Sequence, residues 1–124
     1  YVVHGLDGLD EVSTTGPTMV FEIRDAAITK AVWTPEDFGL RRATLSELTG
    51  GDRGANAEIA REILAGKSGA RRDLVLANAA AGLMAAGLAA SPRKGVRMAA
   101  DAIDSGRASE KLRQLVSASH QELQ

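Results

Sequence analysis

The sequence predicts an α/β fold, with short N-terminal strands over residues 1–33 followed by several helices over 34–124. Three observations carry that expectation. The β-branched and aromatic residues Val2, Val3, Val20, Phe21, Ile23, Ile28 and Val32 gather in the first part of the chain. Beyond Trp33 the apolar residues recur at helical spacing instead. Thr34-Pro35 and Ser91-Pro92 each place a capping hydroxyl before a proline, which marks a helix start. Strands first and helices afterwards would describe an α+β domain if the chain were complete in itself. A hairpin plus one strand makes only a small sheet, however, and the helices carry enough apolar surface to cover a larger one. Residues 1–124 are therefore expected to form a single partial domain, one piece of a larger protein.

Met19, Phe21 and Ile23 alternate with Val20 and Glu22, and Ile28, Lys30 and Val32 form a second alternating set. Arg24 to Ala27 separate them, a length suited to a β-hairpin. Thr34-Pro35-Glu36-Asp37 opens a short helix with two acids at its positive end, and Phe38-Gly39 closes it. Asn56 is expected to cap a helix with Ile59, Ala60, Ile63 and Leu64 on one face and Gly66 just past its end. Asp73 to Ala89 reads as a longer helix, apolar on most faces, whose alanines and Gly82 permit close approach; it is expected to be the most buried element. Ser91-Pro92 begins a helix carrying Val96, Ala99, Ala102 and Ile103, interrupted by Gly106. A last helix carries Leu112, Leu115, Val116 and Leu123, and Ser117 to Gln124 is expected to fray.

Composition narrows the function classes. Fifteen basic against sixteen acidic residues leave a formal charge of -1, which gives no bulk attraction to nucleic acid or to an anionic membrane. The absence of cysteine excludes disulfides, thiolate metal sites and cysteine nucleophiles, so any metal must use oxygen or imidazole. Leu74 to Ala90 is the most apolar run, but its alanines and glycines give too little transfer energy for a membrane span. The chain opens on Tyr1 rather than methionine and shows no signal core, so it is expected to be cut from a longer, cytoplasmic protein.

The densest polar cluster is His4-Gly5-Leu6-Asp7-Gly8-Leu9-Asp10-Glu11, three carboxylates and an imidazole directly after an apolar strand. Carboxylates without thiols suit a hard cation such as Mg2+, which is commonly shared between one or two carboxylates and substrate phosphates. In a regular strand Asp10 and Glu11 would face opposite ways, so one shared ion requires the backbone to turn there. From the residues alone a solvated acidic loop and a cation site both stay open, and solvation is the commoner case. Gly50-Gly51-Asp52 before Asn56 could cradle an anion but reads better as a turn and cap. Arg41-Arg42 and Arg71-Arg72 could meet phosphate, although such pairs are usually solvated. His120 has no assigned role.

The run Val2-Val3-His4-Gly5-Leu6-Asp7-Gly8-Leu9-Asp10-Glu11, followed by Ser13-Thr14-Thr15-Gly16-Pro17-Thr18, resembles the signature of the anthranilate phosphoribosyltransferases. Thr34-Pro35-Glu36-Asp37-Phe38-Gly39-Leu40, Gly50-Gly51-Asp52, Asn56-Ala57, the helix end at Leu64 to Gly66, Arg72-Asp73 and Asn78-Ala79 then follow in that family's order. The resemblance spans nearly the whole chain. It implies the C-terminal part of a phosphoribosyltransferase α/β domain, a central sheet flanked by helices. It implies that Asp10 and Glu11 hold Mg2+ that accompanies the pyrophosphate of phosphoribosyl pyrophosphate, and that His4 and Gly5 are candidate substrate-binding residues, although an imidazole at a strand end more often satisfies a local backbone group. No residue is assigned a catalytic role as nucleophile or base.

The implied reaction transfers phosphoribosyl from phosphoribosyl pyrophosphate to anthranilate, in tryptophan biosynthesis. That family's Gly-Thr-Gly-Gly-Asp phosphate loop, its Asn-x-Ser-Thr and Lys-His-Gly-Asn segments and its anthranilate-facing arginine are not in this chain. The isolated chain is thus expected to be inactive, and to self-associate through an exposed sheet edge. Two other readings stand beside this one: a relative similar to the pyrimidine nucleoside phosphorylases, and a binding or structural module without catalysis.

Overall fold

A computed structural model describes residues 1–120. Strands β1 (Val2–Gly5), β2 (Thr18–Arg24) and β3 (Ala27–Trp33) form an antiparallel sheet in the order β1-β2-β3. A 3-10 turn (Pro35–Phe38) leads into helices α1 (Leu45–Leu48), α2 (Arg53–Leu64), α3 (Ala70–Ala85), α4 (Pro92–Asp104) and α5 (Arg107–Ser119). The α/β order read from the sequence is the order observed. Among the described residues no helix is long and apolar enough to cross a membrane. Leu123 lies outside the described residues, as does the final part of the Ser117 to Gln124 segment expected to fray; Ser117 to Ser119 are helical.

The hairpin is tighter than its sequence suggests. Arg24 pairs with Ala27, so the loop is Asp25-Ala26 alone, with φ of 49° and 63°. Both residues sit in the left-handed region that two-residue hairpins need to match strand twist. The 3-10 turn matches its expected start and stop. The Asp37 carboxylate accepts from the Thr34 amide at 2.7 Å, and Gly39 ends the turn at φ 75°.

Asn56 does not cap α2. Asp52 does, its Oδ1 accepting from the Ala55 amide at 2.9 Å, and the helix starts at Arg53. Asn56 instead folds back on Gly51, accepting from its amide at 2.9 Å and donating to its carbonyl at 2.9 Å. The long helix is displaced as well, running from Ala70 to Ala85 rather than Asp73 to Ala89. Gly69, at φ 141°, sets its start, and Gly87, at φ 73°, turns the chain away after its end.

Two clusters make the core. Val12, Phe38, Ala77, Ala80 and Ala81 join Val3, Trp33, Leu40 and Val96 where the sheet meets α3. Leu76, Ala99 and Ile103 join Ile63, Leu83 and Val96 between the helices. Burying Phe38 contributes about 1.5–3 kcal/mol, and Trp33 meets it edge to face at 5.7 Å between ring centroids. As expected, α3 contributes more buried residues than any other helix. Its outer face does not follow that expectation, for Val75 is exposed. Helix α5 likewise leaves Leu112, Leu115 and Val116 in the open.

Candidate functional site

The acidic segment leaves β1 through a set of turns that its glycines permit. The Gly5 amide donates to the Leu9 carbonyl at 2.8 Å, the Gly8 amide to the Gly5 carbonyl at 3.0 Å, and the Leu6 amide to the Pro17 carbonyl at 2.9 Å. Gly5 is buried, and a Cβ there would press on the Asp7 carboxylate and lie 3.2 Å from both the Leu9 oxygen and the Ser13 Cβ. Gly8 has φ 99°, a conformation open to glycine. The backbone therefore turns between β1 and Val12, and strand alternation no longer separates Asp10 from Glu11.

Asp7 knots this loop to the segment after it. Its carboxylate accepts from the Ser13 hydroxyl, the Thr15 hydroxyl and the Leu9 amide. Burial alone would raise the Asp7 pKa, but the Ser13 and Thr15 hydroxyls and the Leu9 amide stabilise the anion and hold it below the ordinary carboxylate value. The Ser13 amide donates to Thr18 Oγ1 at 2.9 Å, which ties the same segment to the start of β2. In the sequence Asp7 is one acid among three, with no role of its own. The hydroxyls at Ser13 and Thr15, spaced to reach a preceding acid, are the available signal.

Asp10 is exposed and Glu11 half-buried. Among the described residues neither carboxylate has a salt-bridge partner. Burial, and then the neighbouring Asp10 charge, raise the Glu11 pKa. A pair of adjacent carboxylates with no cation of the chain beside them is an oxygen donor set that suits a hard divalent ion. Among the described residues no group of three or more His, Asp or Glu side chains gathers in one place. Mg2+ held here would take the rest of its shell from water and substrate oxygens, its usual habit.

The residue after this pair is fixed to α3. Val12 is 1% exposed within the core, and Asn78 grips its backbone from both sides. Asn78 Oδ1 accepts from the Val12 amide at 2.9 Å, and its Nδ2 donates to the Val12 carbonyl at 2.9 Å and to the Leu74 carbonyl at 3.0 Å. Two residues further on, the Thr14 carbonyl accepts from the Ala43 amide at 2.9 Å.

His4 stands exposed on β1, paired across the sheet with Met19. It is on the strand that leads into the acidic loop, and Gly5 shapes the first turn of that loop. The other polar motifs are occupied by the fold. Arg41 pairs with Glu47 at 2.7 Å and Arg42 with Glu36 at 2.8 Å; these arginines hold both glutamates at a pKa of about 2. Arg71 donates to the Thr49 carbonyl at 2.6 Å, and Arg72 to Gly66 and Asp104. Gly50-Gly51-Asp52 forms a turn whose Asp52 caps α2, the place the sequence reading gave to Asn56.

This α/β fold, with a braced acidic loop at the end of its first strand, defines a class. The chain belongs to the glycosyl transferase family, a/b domain, whose model matches residues 1–109. Its relatives within that class are specific. It is 54% identical over 118 residues to anthranilate phosphoribosyltransferase of Anaeromyxobacter sp. strain K, covering 95% of this chain and 35% of the relative. It is 48% identical over 116 residues to the enzyme of the same name in Pelobacter propionicus, covering 94% of this chain and 33% of that one. Among solved structures, the Thermus thermophilus anthranilate phosphoribosyltransferase superposes with a TM-score of 0.83 at 38% identity, over 93% of this chain and 34% of that chain. The Saccharomyces cerevisiae anthranilate phosphoribosyltransferase in complex with PRPP and Mg does so with a TM-score of 0.80 at 29% identity, over 90% and 32%. The chain thus spans about a third of the length of the relatives it matches.

Proposed function

We propose that this chain is the metal-bearing part of an anthranilate phosphoribosyltransferase, a cytoplasmic enzyme of tryptophan biosynthesis that joins anthranilate to phosphoribosyl pyrophosphate. The observation that carries the proposal is the adjacent pair Asp10 and Glu11, free of any salt bridge among the described residues, on a loop tied down at both ends. The similarity to relatives of that name, one of them in complex with PRPP and Mg, supports it.

In this reading Asp10 and Glu11 present oxygen atoms to Mg2+. When bound, the ion offsets the negative charge that builds on departing pyrophosphate. The carboxylates fix where that positive charge sits, and Asp7, Asn78 and the glycine turns fix the carboxylates. The anthranilate amine forms a bond to the anomeric carbon as the carbon–oxygen bond to pyrophosphate breaks. The bonding pair leaves with pyrophosphate, and the amine proton passes to solvent. No protein nucleophile is needed. His4 and Gly5 are proposed to lie against substrate at the mouth of this loop.

The test is product identity. The chain should be exchanged for the segment it matches in the Anaeromyxobacter sp. strain K relative, and the hybrid supplied with phosphoribosyl pyrophosphate, anthranilate and Mg2+. We expect N-(5-phosphoribosyl)anthranilate and pyrophosphate from the hybrid and none from the 124-residue chain alone. Phosphorolysis of a pyrimidine nucleoside by the hybrid, or no turnover at all, would overturn the reading.

The sheet order supports a second, smaller proposal. Strands β1 and β3 each leave one edge unpaired among the described residues, and β3 exposes Ile28 and Val32. The 124-residue chain is expected to pair with a second copy of itself at one of these edges. Sedimentation equilibrium at high micromolar concentration should give a mass above that of the monomer, and a purely monomeric profile would refute the pairing.

A further inference from the structure

We infer that Asn78 and Asp7 are positioning residues that hold the Asp10–Glu11 pair in the geometry a divalent cation requires; the inference rests on the assignment of that pair as ligands. A primary amide has one acceptor oxygen and two donor hydrogens, and in Asn78 the oxygen takes the Val12 amide while the hydrogens go to the Val12 and Leu74 carbonyls. The grip is on backbone rather than on a side chain, so it fixes the chain path at the residue bonded to Glu11. Asn78 also comes from α3, 66 residues away, and Val12 itself is seated in the core beside Ala77, Ala80 and Ala81. The carboxylates are in this way referred to the most buried helix of the chain.

Asp7 acts from the other side. Its three donors, the Leu9 amide and the Ser13 and Thr15 hydroxyls, lie on either side of Asp10–Glu11 in sequence. They close residues 7–15 into a ring, and Asn78 anchors that ring at Val12. Loops without such ties sample many conformers, and two carboxylates that must be close despite mutual repulsion are the groups least able to stay together unaided. Residues that orient metal ligands in this manner commonly change metal affinity by about 10- to 100-fold when removed.

The experiment uses the 124-residue chain labelled with 15N, with Mn2+ plus inorganic pyrophosphate as the probe. Paramagnetic broadening of the Gly8 to Val12 amide signals reads ion occupancy, and amide exchange at Val12 reads the grip of Asn78. In Asn78→Ala we expect faster exchange at Val12 and about 10-fold or more Mn2+ to reach half-maximal broadening. Asp7→Ala, at an exposed residue outside both core clusters, should raise the midpoint similarly and keeps the inference testable if Asn78→Ala does not fold. Asp7→Asn, with its amide oxygen in the Oδ2 place, still accepts from both the Ser13 and Thr15 hydroxyls and gives up only the Leu9 amide bond, so it should recover much of the loss. A midpoint unchanged in both alanine variants would overturn the inference, even if thermal stability fell. No recovery in Asp7→Asn would overturn it for Asp7 and make that carboxylate a ligand in its own right. Asp10→Asn and Glu11→Gln separate this failure from failure of the ligand assignment. If they abolish broadening while Asn78→Ala and Asp7→Ala leave it intact, only the positioning role falls. If the unaltered chain shows no broadening at Gly8 to Val12, both fall together.

Discussion

Asp10→Asn and Glu11→Gln, made separately in the hybrid enzyme, are each expected to lower kcat/KM for phosphoribosyl pyrophosphate by about 10²–10³-fold and to raise the Mg2+ concentration needed for half-maximal rate. The magnitude is that of removing one group aimed at developing transition-state charge. Both substitutions keep size and one acceptor oxygen, remove the charge and turn the other oxygen into a donor that cannot ligate a cation. Stability should hardly change. Burial and the Asp10 charge already raise the Glu11 pKa, so its ionised form opposes folding in the neutral range. Losing that charge in Glu11→Gln removes a small cost, and the midpoint of thermal unfolding should stay level or rise. Steady-state rates against Mg2+ concentration, together with melting curves, separate the two effects. Wild-type kinetics in both variants would make this loop a solvated acidic turn.

The second large effect is expected in the core. Gly95 on α4 lies so close to α3 that an added Cβ would stand 2.7 Å from the Ala80 Cβ, 2.8 Å from its Cα and 3.1 Å from its carbonyl oxygen. Ala80 is fully buried, and two of those atoms are backbone, so no rotamer change relieves the overlap. Gly95→Ala gains about 0.8–1 kcal/mol of helix propensity. Forcing the helices apart costs about 1–3 kcal/mol or more. We expect net destabilisation by Ala and a larger loss with Val, measured by urea unfolding. Equal or raised stability in Gly95→Ala would mean that α3 and α4 are not in direct backbone contact there.

Much of this architecture is legible because local chemistry decides it. Thr34-Pro35 and Ser91-Pro92 mark helix starts whose capping and φ preferences are set within a few residues, and alternation marks β2 and β3. The errors have equally physical causes. Asp52 and Asn56 are both capable caps, and the choice between them is settled by Asn56 bonding both backbone groups of Gly51, which leaves Asp52 to close the helix. The single turn α1 escapes a reading by pattern, although Thr44 and Glu47 have capping-box spacing, because four residues carry no periodicity. The exposure of Leu115 and Ile28 is not readable from hydropathy, since a sequence shows how apolar a residue is and not what lies against it.

The site divides in the same way. Asp10 and Glu11 stand out in the sequence as neighbouring acids after a strand, and their nomination as ligands rests on resemblance. Gly5 and Gly8 signal the turns. Asn78 enters the sequence reading only as a motif position within the resemblance; its hold on Val12 carries no signal, because that partner is 66 residues away and is reached only once α3 packs on the sheet.

The proposed function depends above all on Asp10 and Glu11 holding the divalent ion. The most direct measurement is anomalous diffraction from crystals of the hybrid enzyme grown with Mn2+ and phosphoribosyl pyrophosphate. We expect a manganese peak within bonding reach of a carboxylate oxygen of Asp10 or Glu11 and of the pyrophosphate oxygens, at the roughly 2.0–2.2 Å of a small hard cation. A peak on the pyrophosphate with both carboxylates turned to solvent would contradict it.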